Sequence, residues 1–101
     1  MAAYFIFSHQ VIDSDKLNNQ YLPKAVETLK AYNPDILVVD QDIELIEGST
    51  DHSRRVILKF KDKAEAKQWY NSPEYQAIIH LRLESVDGNA VLCDEFDLLA
   101  I

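Results

Sequence analysis

Apolar positions along this chain change rhythm between period two and period 3.6, and the changes mark its elements. Ala3 to Val11 is dense in aromatic and β-branched residues and reads as a first strand. Leu17, Tyr21, Leu22, Ala25, Leu29 and Tyr32 then recur at helical spacing. Asp13 suits the N-cap of that helix, with Ser14 and Asp15 in its first turn. Pro23 lies inside the pattern, so the helix is expected to kink, or to split with Pro23 opening its second half. Asn33-Pro34 stops it, because Asn tolerates a left-handed cap and Pro cannot extend a helix.

Ile36 to Asp40 reads as a second strand, with a continuation through Ile43–Ile46 after an irregularity at Gln41-Asp42. A polar loop, Glu47 to Ser53, leads to a third strand at Arg55–Phe60. Asp62 and Glu65 resemble a capping box opening a second helix, with Ala66, Trp69 and Tyr70 on its inner side. Ser72 caps a third helix with Pro73 at its first position, expected to run to about Glu84. Asp87-Gly88 reads as a turn, and Ala90–Phe96 as the last strand.

The order β-α-β-β-α-β predicts an α+β fold: a ferredoxin-like sandwich with a four-stranded antiparallel sheet and helices on one face. Right-handed crossovers place the first and third strands in the middle. At 101 residues, 48% hydrophobic, the chain reads as a single domain spanning 1–101.

Helices on one side of a sheet leave the other side to water, and that side should then alternate to polar residues. Tyr4-Phe5-Ile6-Phe7, Ile36-Leu37-Val38-Val39 and Val56-Ile57-Leu58 are instead apolar at both parities. A second copy packing sheet against sheet is the simplest cover, so a homodimer through the sheet face is expected. The apolar end, Phe96 to Ile101, is expected to dock on that partner.

A net charge of −7 with scattered Lys and Arg excludes a generic nucleic-acid binder. No apolar run approaches the ~18 residues that span a bilayer, so no membrane partner is expected. The start carries no basic signal region, and Cys93 is a lone cysteine, expected to be a buried small hydrophobe. Both point to a reducing, cytoplasmic setting.

Candidate chemistry gathers around Trp69-Tyr70-Asn71-Ser72-Pro73-Glu74-Tyr75-Gln76 and Arg82. Tyr75, Ile78, Ile79 and Arg82 are spaced i, i+3, i+4, i+7, on one helical face. Two readings fit. In one, Arg82 anchors a carboxylate or enolate of a small ligand, with Trp69, Tyr70 and Tyr75 as walls. In the other, the aromatics are solid core and Arg82 complements a helix C-terminus or pairs with an acid. His9, at the end of the first strand, is the weak catalytic candidate, a general base at a cleft mouth. His52 lies in a polar loop and His80 on an exposed face. No histidine pair has metal-site spacing, so neither a metal nor a cofactor is expected. Glu47 and Arg55 are placed to pair across the polar loop.

The chain resembles the DUF1330 family, small proteins of unassigned function in the dimeric α/β-barrel, ferredoxin-like group. The likeness covers about residues 4–96. It rests on Tyr21, Glu47-Gly48, Arg55, Phe60 and Ala66, and most specifically on Trp69-Tyr70, Ser72-Pro73-Glu74-Tyr75-Gln76 and Arg82. Asn33-Pro34 stands where the family typically has Gly-Gly. The resemblance implies a ferredoxin-like dimer but no particular reaction, since related barrels include cofactor-free monooxygenases, isomerases and haem-dependent enzymes. Three functions therefore stand side by side: binding of a small anionic or aromatic metabolite, a non-catalytic dimeric module, and a cofactor-free monooxygenase- or isomerase-like enzyme.

Overall fold

A computed structural model describes residues 1–100. Strands β1 (Ala3–Val11), β2 (Asp35–Asp40), β3 (Arg54–Phe60) and β4 (Val86–Asp94) form one antiparallel sheet in the order β2-β3-β1-β4. The first and third strands are central, and the helices lie on one face, as the element order predicted. This is a ferredoxin-like α+β fold.

Register assigns the faces. Phe5 pairs with Leu58 and Leu92, so the odd positions of β1 and the even positions of β3 and β4 share the helix-facing side. Phe5, Phe7, Leu58 and Phe60 fill the core there with Leu17, Ala25, Leu29, Ala66 and Trp69 from the helical layer. Tyr4, Ile6, Ile57 and Val91 point the other way.

The first helical region is split, and Pro23 explains how. Lys16–Tyr21 is a π-helical turn, closed by the Leu22 N–H on the Leu17 carbonyl, and α1 spans Leu22–Leu29 with Pro23 in its first turn. An ordinary α-turn would press the proline ring against the carbonyl four residues back; the wider turn relieves that contact. Asn33 takes the left-handed conformation (φ 47°) and its N–H closes on the Leu29 carbonyl at 2.8 Å before Pro34.

Helix α2 (Lys63–Tyr70) opens on Asp62, whose carboxylate accepts the Glu65 N–H at 2.7 Å. Ser72 then joins two helices: its hydroxyl donates to the Trp69 carbonyl at 2.7 Å and accepts the Tyr75 N–H at 3.2 Å. Pro73 begins α3.

Four sequence expectations need correction. The helix after Ser72 does not run unbroken to Glu84; it divides into α3 (Pro73–Gln76) and α4 (Ile79–Ser85). The second strand stops at Asp40, whose carboxylate accepts the Asp42 N–H at 2.9 Å and turns the chain away. Asp87-Gly88 is not a turn. β4 begins directly after α4, and Gly88 (φ 150°) lies opposite His9, where a Cβ would sit 1.8 Å from the Ser8 carbonyl oxygen. Cys93 is exposed, because its parity on β4 directs it to the outer face beside Tyr4.

A bulge in β2 has a further consequence. The register shifts between Ile36 and Val38, so Ile36 and Val39 both fall on the helix-facing side, opposite Leu58 and Val56. At this sheet edge the helical layer leaves both of them about half exposed. Among the described residues, no helix is long and apolar enough to cross a membrane.

Candidate functional site

Beside the core, between α1 and strands β1, β2 and β3, lies a cavity of about 230 Å³. Val26 of α1 and Ile36 and Val39 of β2, all half-exposed, form its apolar outer lining. Phe7 and Trp69 are buried walls. His9 from β1, Arg54 from β3, Arg82 from α4 and Tyr21 from the π-helical turn border its floor, with their polar atoms almost wholly covered, so the open wall is apolar.

His9, Arg54 and Arg82 are each at most 5% exposed, and each has a stated reason to be inside. His9 continues the inward series Phe5, Phe7; Arg54 continues Val56, Leu58, Phe60 by strand parity. Arg82 extends from the last turn of α4 over the Phe7 ring, its guanidinium carbon 5.1 Å from the ring centroid.

The imidazole of His9 lies between the two arginines. Its Nδ1 is 2.9 Å from Nη1 of Arg54, and its Nε2 is 3.4 Å from Nη1 of Arg82. A neutral imidazole accepts at only one nitrogen. The ring can therefore accept from only one of the two guanidiniums at a time, and the Arg54 contact is the shorter. Burial, then the charges of Arg82 and Arg54, lower the His9 pKa to about 3, so the ring is uncharged at neutral pH.

A second chain of bonds runs through the tyrosines. Arg82 Nε donates to the Tyr75 hydroxyl at 3.2 Å, and the hydroxyls of Tyr75 and Tyr21 are 2.6 Å apart. The Tyr75 oxygen can accept from Arg82 and from Tyr21 together, so either tyrosine can supply the proton they share. Burial, reinforced by Tyr75, raises the Tyr21 pKa well above 10, so Tyr21 remains a donor. Burial opposes the charge on both arginines. It leaves the Arg54 pKa lowered, whereas at Arg82 the neighbouring Tyr75 and Tyr21 oxygens outweigh it.

No carboxylate forms an ion pair with Arg54 or Arg82 among the described residues; the acidic partners of the four ion pairs there all lie elsewhere. Arg54 Nε is buried with no hydrogen-bond partner. Behind the apolar wall therefore lies a buried polar cluster carrying two positive charges. Nor do the described residues bring together three metal-binding side chains of His, Cys, Asp or Glu type.

The sequence-named residues divide among these places. Trp69, Arg82 and His9 line the cavity. Tyr75 is fully buried behind it and reaches it only through Arg82 and Tyr21. Tyr70 stacks on Phe5 with ring centroids 5.6 Å apart and takes no part in the lining. Arg55 donates to the His52 carbonyl at 3.4 Å rather than pairing with Glu47. Sequence reasoning missed Arg54 and the polar role of Tyr21. The available signal for Arg54 was parity, an arginine in phase with three inward apolar residues.

The same architecture recurs in solved structures of low sequence identity. A protein of unknown function from Rhodopseudomonas palustris, RPA0582, superposes with a TM-score of 0.74 at 11% identity, covering 95% of this chain and 83% of that one. A mutant form of SnoaB, a cofactor-independent oxygenase from Streptomyces nogalater, gives 0.66 at 13% over 97% and 96% of the two chains. A conserved protein from Methanosarcina mazei Go1 gives 0.65 at 21% over 91% and 88%. At these identities the likeness establishes the fold alone. No curated protein matches the chain in sequence. A family model does match, from residue 2 to residue 96, through every strand of the sheet and every residue of the cavity floor. On that match the chain belongs to the family described as Domain of unknown function (DUF1330).

Proposed function

We propose that this protein binds a small organic anion in the cavity between α1 and the sheet, with the anionic group on the arginine floor and the apolar body toward Val26, Ile36 and Val39. One observation carries the reading: two arginines, both buried, border one cavity, and among the described residues no carboxylate pairs with either. An uncompensated buried charge costs several kcal/mol, and a bound anion offsets that cost. The volume suits a small metabolite, being below the ~300 Å³ at which pockets for drug-sized ligands begin.

Binding of such a ligand raises stability by mass action, about 2.7 kcal/mol at one hundred times its dissociation constant. A thermal-shift series with small carboxylates is the test. Arg54→Leu should abolish the response while the protein stays folded. A response that persists undiminished in Arg54→Leu would rule out this cavity.

The cofactor-free enzyme reading has one feature in its favour, an uncharged imidazole bordering the cavity. A base with a pKa near 3 is a poor proton acceptor at neutral pH, so binding comes first in our reading.

The outer sheet face supports a homodimer. Ile6 and Ile57 on its central strands and Val38 beside them are only partly covered, and Val91 is exposed. Around one end, Lys59 pairs with Glu95 at 3.7 Å, and Tyr4 donates to the same carboxylate at 3.3 Å. An apolar centre with a polar rim is the anatomy of a protein interface. Light scattering on the eluting peak should give twice the chain mass, and Ile57→Glu should give one. A lone exposed cysteine suits a reducing compartment, and we assign the protein to the cytoplasm on that ground.

A further inference from the structure

The open wall of the cavity offers a ligand carbon and almost nothing else. Val26, Ile36 and Val39 stand at its outer lining, each about half exposed, and Phe7, Leu58 and Trp69 lie behind them. The polar atoms of the floor are almost wholly covered. A guest in this space therefore gains with each apolar atom it buries and loses with each polar one. A hydroxyl buried there without a partner weakens binding about tenfold or more.

The β2 bulge shapes the entrance. Residues three apart on a regular strand point to opposite faces, but the register shift between Ile36 and Val38 turns Ile36 and Val39 to the same one. β2 is an edge strand, so no neighbouring strand covers that side of them. Single apolar side chains on a surface are ordinary; three of them around one empty volume mark a binding groove. The volume also bounds the guest. A cavity of ~150 Å³ already holds benzene, so in proportion about 230 Å³ holds about nine carbon atoms.

We propose that the cavity takes an uncharged apolar guest, a single aromatic ring with a short alkyl substituent and no hydrogen-bonding group, and that Ile36 and Val39 set its size. This shares the cavity of the anion-binding reading above but not its premise. The apolar wall holds the guest whether or not an anionic group accompanies it.

Toluene and phenol form the decisive pair of probes, alike in shape and differing as methyl against hydroxyl. Added at millimolar concentration to wild-type protein labelled in its Ile and Val methyl groups, toluene should shift the Val26, Ile36 and Val39 signals by its ring current. Those of Ile57 and Val91, on the outer sheet face, should stay in place. The dissociation constant for toluene should lie about tenfold or more below that for phenol. Affinity should rise from benzene through toluene to propylbenzene and level off at pentylbenzene, whose chain end leaves the cavity. Val39→Phe fills the entrance at a half-exposed position, where the larger ring leaves the core undisturbed, and should abolish the shifts at Val26 and Ile36. Phenol binding as tightly as toluene, or shifts confined to Ile57 and Val91, would overturn the inference. Benzoate run alongside keeps the two readings apart. Shifts at the cavity methyls with benzoate and none with toluene overturn the apolar guest and leave anion binding intact, and the opposite pattern does the reverse. If neither moves them, both readings fall.

Discussion

Two neighbouring regions treat their polar groups in opposite ways. At the aromatic corner of α2 and α3 the polar ends of Trp69, Ser72 and Tyr75 all have partners. Trp69 donates its indole N–H to Thr28 at 3.0 Å, and Thr28 donates to the Ala25 carbonyl. Ser72 ties both helix ends together, and Trp69 and Tyr75 pack with ring centroids 4.2 Å apart. Close by, the cavity floor holds two cations without acids among the described residues, and an unpartnered Arg54 Nε. A satisfied polar group next to dense packing contributes stability; an unsatisfied one next to empty volume is an unfinished contact. The corner therefore reads as scaffold and the floor as site, although both are equally buried.

Mutations should separate the two. Trp69→Ala removes the largest buried side chain from the corner and should cost about 3–5 kcal/mol, read as a large drop in the urea midpoint. Arg54→Leu should do the reverse. Replacing an uncompensated buried charge with an apolar group is expected to leave stability unchanged or raise it by about 1–4 kcal/mol, read by the same titration. A large loss of stability there would place Arg54 in the scaffold and dissolve the distinction.

His9 offers an intermediate effect that depends on pH. Its native pKa is about 3, while an unfolded histidine titrates near 6.5. Between those values the unfolded chain holds a proton that the native chain lacks. Stability should thus fall as pH drops from about 6.5 to 3, by about 1.4 kcal/mol per pH unit from this residue, and be level above. His9→Gln keeps an acceptor for Arg54 and should flatten that part of the profile, measured as midpoint against pH.

The smallest effect belongs to the cap. Ser72→Ala should cost about 1 kcal/mol, a few degrees in melting temperature for a domain of this size, with ligand response retained.

Local chemistry was legible because it acts over a few residues. The strand at Ala3–Val11, the stop at Asn33-Pro34, the cap at Asp62 and the Ser72-Pro73 junction each follow from side chains that bond or block their own neighbours. Element order and crossover handedness then led to the sheet order. Gly88 shows where such reading stops. Asp-Gly has turn chemistry by itself, yet its place is dictated by the Ser8 backbone, which crowds it from another strand.

What the amino-acid order determined by itself was the inventory: four strands, an amphipathic helical layer, an aromatic junction, and arginines in phase with apolar residues. Only the tertiary structure decided which of these meet. His9, Arg54 and Arg82 come from β1, β3 and α4, up to seventy-three residues apart, and no local periodicity records that one imidazole would sit between two guanidiniums. Whether a buried arginine is paired or left for a ligand is a property of the space around it, and that space exists only once the sheet has closed its register.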